Sequence, residues 1–263
     1  MTRKKGLCSA LAIMNEERDR GSERAMKKLG LRVGRVELDK GWELLFQGAE
    51  ARIFHGNMDG RPAIAKQRFT KRYRQQVLDQ QLSRERLRAE MRSNIKCHGA
   101  GVACPEVLLV DIEKRVVVME FIRGESLRQR FEKLQMQEDA EPHMLHLANC
   151  FGKLAGKLHA AGIVHGDLTT SNILLRDANS EGEEELVLID FGLSSSDRVG
   201  DEERAVDLYV LERSLTSTHP NMEPLLSHVL EAYATLLAPE TAKTTLKKLE
   251  DVRQRGRKRT MLG

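Results

Sequence analysis

IVHGDLTTSN, residues 163–172, and LVLIDFG, residues 186–192, are the stretches of this sequence that decide its fold class and its chemistry. Asp167 precedes Asn172 by five residues in the first stretch, and Asp190 ends the apolar run of the second. Phosphoryl transfer needs bound metal ions and an oriented acceptor more than it needs covalent help from the protein. The order of these side chains predicts that Asp167 orients the attacking oxygen and accepts its proton, while Asn172 and Asp190 hold Mg²⁺.

Two positions in the first stretch depart from the ordinary protein-kinase loop. Gly166 occupies the place of an arginine that would pair with a phosphorylated activation loop, and Thr169 occupies the place of a lysine. The segment after Gly192 also lacks an Ala-Pro-Glu triplet and leaves little room for a peptide platform. These departures argue against an ordinary peptide kinase and favour an activity that does not depend on phosphorylation of that segment.

Lys66 ends a short apolar run and is the cation predicted to neutralise the α- and β-phosphates of ATP. A lysine in that role needs a carboxylate on the following helix to hold its side chain extended. Glu85 and Glu90 both lie on the helix predicted over residues 75–94, and periodicity does not separate them cleanly; we favour Glu90. The predicted catalytic group is therefore Asp167, Lys66 and Glu90.

Two further segments are predicted to contact ATP. The loop FQGAEA, residues 46–51, keeps only the central glycine of a Gly-x-Gly-x-x-Gly pattern, and Gly48 lets the backbone approach phosphate closely. A later apolar strand would end in the hinge between two lobes, with the Glu120 carbonyl and the Ile122 amide facing adenine and Met119 at the back of the pocket. The predicted ATP-binding residues are Gly48, Ala49, Ala51, Ile64, Lys66, Met119, Glu120 and Ile122.

The apolar pattern predicts an α+β chain with a small, bilobal, protein-kinase-like fold. Five strand-like runs and one helix precede Gly124 and predict a five-stranded N-lobe, with a hairpin at residues 57–60. Helical periodicity dominates the residues after Gly124 and predicts a reduced helical C-lobe. The predicted segments are an N-terminal extension at 1–42, the N-lobe at 43–123, the C-lobe at 124–252 and a basic C-terminal tail at 253–263.

Composition restricts the class of protein. The chain has 263 residues with a net charge of +4, and it contains no run of about 18 apolar residues that could span a bilayer, so no membrane partner is expected. Its four cysteines form neither a C-x-x-C pair nor a set at metal-ligand spacing, which favours a reducing compartment, the cytoplasm or the nucleus. Basic residues crowd the first forty positions, residues 66–92 and residues 253–259, and they indicate an anionic macromolecular partner.

Together these motifs resemble the PRPK-type atypical serine/threonine kinases, the kinase subunits of the EKC/KEOPS complex. The resemblance runs from about residue 43 to Gly263, and beside HGDLTTSN and IDFGLS it is carried by GAEA, AVDLYVLER and RGRKR. It implies ATP and Mg²⁺ as cofactors. It also implies that the chain works with a threonylcarbamoyltransferase subunit and other KEOPS subunits in making N6-threonylcarbamoyladenosine on tRNA, with ATP hydrolysis as its activity inside the complex.

The resemblance also assigns roles by position. It implies an ion pair between Lys66 and Glu90, and it places the basic tail near the nucleotide or tRNA. The tail residues concerned are Arg253, Arg255, Arg257, Lys258 and Arg259.

Two other functions remain open from the residues alone. Small-molecule phosphotransferases of the aminoglycoside-kinase type share His-Gly-Asp and Ile-Asp-Phe motifs, although the short segment after Gly192 and the basic tail weigh against them. A nucleotide-binding scaffold without turnover would have the same fold, although all the expected catalytic groups are present. The sequence therefore favours an ATP-dependent enzyme over both alternatives.

Overall fold

The computed structural model divides the chain into two compact units. The first comprises Met1–Met91 and Glu106–Phe121, and the second comprises Arg92–Pro105 and Ile122–Gly263. The segment Arg92–Pro105, which the sequence places in the N-lobe, belongs to the second unit because its apolar side chains pack into that unit's core. The structure describes residues 24, 26–28, 30–69, 76–177, 184–197, 199–218 and 223–261.

Five antiparallel strands form the sheet of the first unit, in the order β1-β2-β3-β5-β4. The strands are β1 (Trp42–Gln47), β2 (Ala51–Met58), β3 (Arg61–Arg68), β4 (Val107–Asp111) and β5 (Val116–Glu120). The predicted hairpin is confirmed between β2 and β3, where Met58 pairs with Arg61 around the loop Asp59-Gly60. Both loop residues have positive φ, 51° and 80°, and the Asp-Gly sequence tolerates that conformation.

The helix of the first unit supplies one side of its apolar core. Helix α1 runs from Gln76 to Gly99, and the helix predicted over residues 75–94 is therefore confirmed but too short at its end. Leu87 and Met91 pack in a buried cluster with strand residues such as Val117. No glycine or proline interrupts the sequence before Gly99, so nothing local ends the helix earlier.

Residues 1–42 were predicted to be an extension, but part of that range packs into the first unit. Met26 is 1% exposed and joins the apolar cluster beneath α1. The Val36 N–H donates to the buried carboxylate of Asp111 at 3.1 Å. The apolar residues of this segment are too widely spaced to show a period, so their burial could not be predicted from the sequence.

The second unit combines a three-stranded sheet, in the order β6-β7-β8, with helices around one apolar core. Its elements are β6 (Gly124–Ser126), α2 (Leu127–Leu134), α3 (Glu141–Ala160), β7 (Ile173–Arg176), β8 (Glu185–Leu188), α4 (Asp201–Thr218), α5 (Glu223–Ala234) and α6 (Pro239–Met261). Strand β6 and helix α2 were not predicted, because a three-residue strand is too short to show alternation. A capping box between Ser126 and Gln129 begins α2.

The range assigned to a basic tail is largely helical, because α6 continues to Met261. Arg253 donates to Glu212 of α4 at 2.7 Å. Arg255 forms an ion pair with Glu202 of the same helix. The first residues of the range predicted as a tail, 253–263, therefore continue the packed helix through their contacts with α4.

The predicted α+β class is confirmed by the two sheets and by the helices that pack beside them. The helices expected near residues 143–161, 206–215, 224–237 and 242–253 are present as α3, α4, α5 and α6 with shifted ends. Within the described part of the chain, no helix combines the length and the apolar character that crossing a membrane requires.

Two glycines of α3 permit a close approach to α5. A Cβ on Gly152 would lie 2.2 Å from the carbonyl oxygen of Val229, and one on Gly156 would lie 2.8 Å from that of Tyr233. Because both obstacles are backbone atoms, a side chain at either position would force the helices apart.

We expect Gly152→Ala to lower the free energy of unfolding by about 2 kcal/mol. The steric cost of the added methyl group at this contact exceeds the stabilisation that alanine's higher helix propensity provides. Chemical denaturation followed by circular dichroism measures the change. Gly99→Ala is the control, since no described atom lies within 4 Å of a Cβ there. Equal denaturation midpoints for the two variants would contradict the close approach.

Candidate functional site

A buried carboxylate on α4 fixes the backbone of the predicted catalytic loop. Asp207 is 2% exposed and accepts the backbone N–H of His165 at 2.7 Å and that of Gly166 at 2.9 Å. Its Oδ2 also lies 3.1 Å from Nε2 of the buried His159. Burial by itself raises the pKa of Asp207, but the bonds from His159 and from the His165 backbone outweigh it and hold the pKa below its ordinary value.

Gly166 has a backbone conformation, φ 78°, that favours glycine. A Cβ at this position would lie 2.3 Å from the carbonyl oxygen of Leu193. The two segments are held together because the Val164 N–H donates to the Ser195 carbonyl at 2.9 Å and the Ser195 N–H donates back at 3.0 Å. The glycine that replaces the kinase arginine is therefore required by the close contact between the loop and the segment after Gly192.

The catalytic loop brings Asp167 and Asn172 together. Nδ2 of Asn172 donates to Oδ2 of Asp167 at 2.8 Å and to the Asp167 backbone carbonyl at 2.9 Å. Both bonds use the amide nitrogen, so the side-chain oxygen of Asn172 is the atom that a cation would take. The same bonds fix the orientation of the Asp167 carboxylate.

Asp190 follows β8 in a left-handed conformation, φ 62°, and its Oδ1 accepts the Gly192 N–H at 3.2 Å. The residue before it is tied to the catalytic loop on both sides. Nε2 of His165 donates to the Ile189 carbonyl at 2.9 Å, and the Ile189 N–H donates to the Asn172 carbonyl at 2.9 Å. These bonds give Asp190 a defined place beside the loop.

The oxygen atoms of Asn172 and Asp190 suit Mg²⁺, which prefers carboxylate and carbonyl oxygens and is usually bound by few protein ligands. In the part of the chain that the structure describes, no group of three His, Cys, Asp or Glu side chains could hold a metal ion. Mg²⁺ held by Asn172 and Asp190 would complete its coordination with water or with phosphate oxygens.

The first unit carries the cation predicted to contact phosphate. Nζ of Lys66 lies 3.0 Å from Oε1 of Glu90, and the two side chains are 8% and 4% exposed. Of the two glutamates that periodicity left open, Glu90 is the buried one in contact with Lys66, whereas Glu85 is exposed. The structure also places Nη2 of Arg68 2.7 Å from Oε2 of Glu90. The predicted pair is thus part of a larger cluster.

The loop predicted to cover phosphate forms the turn between β1 and β2. The Gly48 N–H donates to the Ala51 carbonyl at 2.9 Å, which closes the turn around Ala49. The Phe69 N–H donates to the Glu50 carbonyl at 3.1 Å and ties this turn to the end of β3.

Three of the residues predicted to contact adenine, Ile64, Met119 and Glu120, lie on the central strands β3 and β5 of the first sheet. Ile64 and Met119 are cross-strand neighbours, and Glu120 pairs with Ala63 at the end of β5. Ile122 is buried and belongs to the second unit.

Two charged residues that contact the predicted site, Asp207 and Arg68, escaped the sequence interpretation. Asp207 lies among the core-facing leucines Leu208 and Leu211, and an acid on the apolar face of a helix was the available signal. Arg68 follows Lys66 by two residues, so both point to one face of the strand, a spacing that predicts a shared partner.

Comparison with known proteins identifies relatives along most of the chain. Residues 59–205 match the RIO domain family. The EKC/KEOPS complex subunit bud32 of Dictyostelium discoideum is 42% identical over 229 residues, which cover 87% of this chain and 88% of that protein. The EKC/KEOPS complex subunit Tp53rkb of Mus musculus is 41% identical over 224 residues, covering 85% and 90%.

Among solved structures, the chain is similar to that of WaaP in complex with acyl carrier protein, with a TM-score of 0.58 and 17% sequence identity. The similarity covers 82% of this chain and 88% of that chain. At this identity it bears on the fold alone, and together with the RIO domain match it confirms the predicted kinase-like fold.

We expect Gly166→Ala to destabilise the second unit by about 3 kcal/mol, because it adds both left-handed strain and a backbone clash. Gly101→Ala is the matched control, since Gly101 has a similar φ of 68° but no described atom within 4 Å of its Cβ. The control should lose about 1 kcal/mol from strain alone. Urea denaturation measures the free energy of unfolding of both variants. Equal losses of stability would show that the contact with Leu193 is not the reason for the glycine.

We expect Asp207→Asn to lower the free energy of unfolding at neutral pH by about 3 kcal/mol, because the buried amides lose a charged acceptor. The folded pKa of Asp207 lies below its ordinary value of 3.8. The stability that its ionised form contributes is therefore complete above pH 3.8 and is lost as the pH falls through the folded pKa. Asp207→Asn should lack this acid-dependent loss.

Urea titrations at neutral pH and in steps below pH 3.8 measure both effects. Asp251→Asn on α6 is the control, because that carboxylate is 56% exposed and its removal should leave the profile unchanged. A profile for Asp207→Asn that matches this control would show that the buried carboxylate does not hold the loop in ionised form.

Proposed function

We infer the function from the family: the chain belongs to the RIO domain proteins and, within them, to the Bud32-type subunits of EKC/KEOPS complexes. It is accordingly an atypical kinase or ATPase with a kinase-like fold. Our proposal is that it binds ATP with Mg²⁺ and hydrolyses ATP inside the complex. That reaction would support threonylcarbamoyladenosine formation on tRNA, with a threonylcarbamoyltransferase subunit as a partner.

The observation that carries this proposal is the contact between Asp167 and Asn172. Because Oδ2 of Asp167 accepts from the amide, Oδ1 is the oxygen proposed to orient the attacking water or hydroxyl and to accept its proton. The side-chain oxygens of Asn172 and Asp190 would hold Mg²⁺, which supplies positive charge to the phosphate oxygens when bound.

Charge in the first unit supports the same proposal. Lys66, held by Glu90, is proposed to neutralise the α- and β-phosphates of ATP. Ile64 and Met119 offer apolar surface for adenine from adjacent strands. The backbone of the Gly48 turn is proposed to approach the phosphates, because it presents no bulky side chain there.

We also propose that partners, rather than phosphorylation, control the activity. The segment after Gly192 is held without any phosphate, since Ser194 Oγ donates to the Phe191 carbonyl at 2.6 Å and the neighbouring backbone pairs with Val164. Gly166 removes the arginine that would read a phosphate on this segment. Nothing in this arrangement requires a modified residue to order the segment.

The basic end of the chain is the part proposed to meet tRNA. Arg253 and Arg255 pair with glutamates of α4. The proposal therefore rests mainly on residues 257–259, Arg-Lys-Arg, whose side chains lie outside the described residues. Contact with phosphate groups would make tRNA binding sensitive to salt.

The two alternative functions, small-molecule phosphotransfer and a nucleotide-binding scaffold, are not equally supported. Small-molecule phosphotransfer is not favoured, because relatives that cover most of this chain are named EKC/KEOPS subunits. A scaffold without turnover would leave the contact between Asp167 and Asn172 without a chemical role. An experiment with the complete complex can distinguish this scaffold from the proposed ATPase.

We expect Asp190→Ala to reduce ATP turnover by about 10³-fold, because the variant loses a carboxylate proposed to hold the metal ion. Turnover is measured for the chain alone, with the transferase subunit, and with the transferase subunit and tRNA. Asp251→Ala, at an exposed position on α6, is the control and should keep wild-type turnover.

Three outcomes separate the functions. Loss of both ATP turnover and tRNA modification in Asp190→Ala, with complex assembly intact, supports the proposal. Unchanged turnover in Asp190→Ala would place the ATP chemistry elsewhere. Lost turnover with normal tRNA modification would favour the scaffold.

A further inference from the structure

Tyr233 of α5 is a buried residue whose hydroxyl contacts a buried histidine of α3. The hydroxyl lies 3.0 Å from Nδ1 of His159, and the two rings meet edge to face with their centroids 5.4 Å apart. The close approach of the two helices at Gly152 and Gly156 brings these side chains together, since the backbone of Tyr233 lies against both glycines.

His159 connects Tyr233 to the carboxylate that holds the predicted catalytic loop. Its second ring nitrogen, Nε2, lies 3.1 Å from Oδ2 of Asp207. The pKa of Asp207 is held below its ordinary value, so at neutral pH the carboxylate is ionised and can only accept hydrogen bonds. Nε2 therefore carries a proton, because an unprotonated nitrogen would direct its lone pair at the carboxylate oxygen.

The hydroxyl of Tyr233 completes the hydrogen bonding of the histidine. Burial raises the pKa of Tyr233, so the hydroxyl keeps its proton at neutral pH and can donate it to Nδ1 of a neutral imidazole. With Nδ1 occupied as an acceptor, the ring proton stays on Nε2, where it faces Asp207. No other group in the described part of the chain hydrogen-bonds to Nδ1, so without the hydroxyl this buried atom would lack a partner.

We propose that Tyr233 is a positioning residue for the catalytic loop and acts by fixing the tautomer of His159 against Asp207. Asp207 in turn accepts two backbone N–H groups of the turn before Asp167. A misplaced carboxylate would shift this turn and the proposed base with it, and a misplacement of about 1 Å can lower a rate by about a hundredfold. This inference rests on the proposed ATP hydrolysis and extends it to a residue of α5.

The first test measures amide hydrogen exchange by NMR on the full chain and needs no ATP turnover. Tyr233→Phe keeps the ring in the core and removes only the hydroxyl. The amides of His165 and Gly166 should exchange about tenfold faster relative to the amide of Leu249, because Asp207 is held less firmly. Leu249 is buried on α6 and reports the stability of the unit as a whole.

The second test determines whether Tyr233 acts through His159, by measuring ATP hydrolysis in the complete complex. Tyr233→Phe should lower kcat by about tenfold and leave the KM for ATP unchanged. Glutamine places its amide nitrogen as many bonds from Cα as Nε2 of histidine, so His159→Gln can donate to Asp207 without help from the hydroxyl. This variant should keep kcat within about threefold of wild type, and adding Tyr233→Phe to it should have little further effect.

Two further variants make the test specific. His159→Asn places its amide where Nδ1 lies, so it can contact Tyr233 but not Asp207, and it should lower kcat by about tenfold. Tyr209→Phe on α4 is the matched control, because that hydroxyl lies against Gly256 of α6. It should keep wild-type kcat and wild-type exchange of the loop amides. Circular dichroism verifies that the compared variants are equally folded.

The outcomes distinguish this inference from the function on which it rests. Unchanged relative exchange in Tyr233→Phe would overturn the positioning role, as would equal losses of kcat from Tyr233→Phe with and without His159→Gln. Should Tyr233→Phe fail to fold, equal kcat values for His159→Gln and His159→Asn would overturn it instead. Absence of ATP hydrolysis by the wild-type complex would overturn the proposed function, and the exchange measurement would still decide the positioning role.

Discussion

The loop that carries Asp167, the group proposed to be catalytic in the second unit, is held by one buried carboxylate, Asp207. Its oxygens accept the backbone N–H groups of His165 and Gly166, which holds the turn before Asp167 in one shape. That shape brings Gly166 against the carbonyl of Leu193 and excludes any residue with a Cβ. The close packing of the loop therefore accounts for a glycine at this position. In the mode of control proposed above, these backbone contacts take the place of the ordering that phosphorylation gives other kinases.

The first unit is also organised by a buried carboxylate, which here contacts two side-chain cations. Glu90 is buried and holds Lys66 and Arg68, just as Asp207 is buried and holds backbone amides. In each unit, a buried carboxylate fixes the position of the group that is proposed to meet the ligand. Burial makes each organising carboxylate dependent on its partners, since an uncompensated charge in such a place is strongly destabilising.

Features that depend on local sequence signals could be predicted, whereas features that depend on contacts between distant segments could not. The Asp59-Gly60 hairpin carries its own turn chemistry, and short apolar runs lie on both sides of it, so this part of the five-stranded sheet was predictable. The burial of Met26 depends on a cluster formed by distant strands, and β6 is too short to show a pattern. The motif residues could be proposed from the sequence because their order is specific, whereas the role of Asp207 in holding the loop required knowledge of which helix face is buried.

The C-terminal helix shows why a count of charges is an incomplete description of an interaction surface. Arg253 and Arg255 contact glutamates of α4, so part of the positive charge in this region is already balanced within the fold. Between them and the end of the helix, Gly256 approaches Tyr209 so closely that a Cβ would lie 2.1 Å from its hydroxyl oxygen. Helix α4 also carries Asp207, so α6 braces the helix that fixes the catalytic loop. Arg253 and Arg255 therefore support the helix that holds the predicted catalytic loop, and they are not free charges on an open surface.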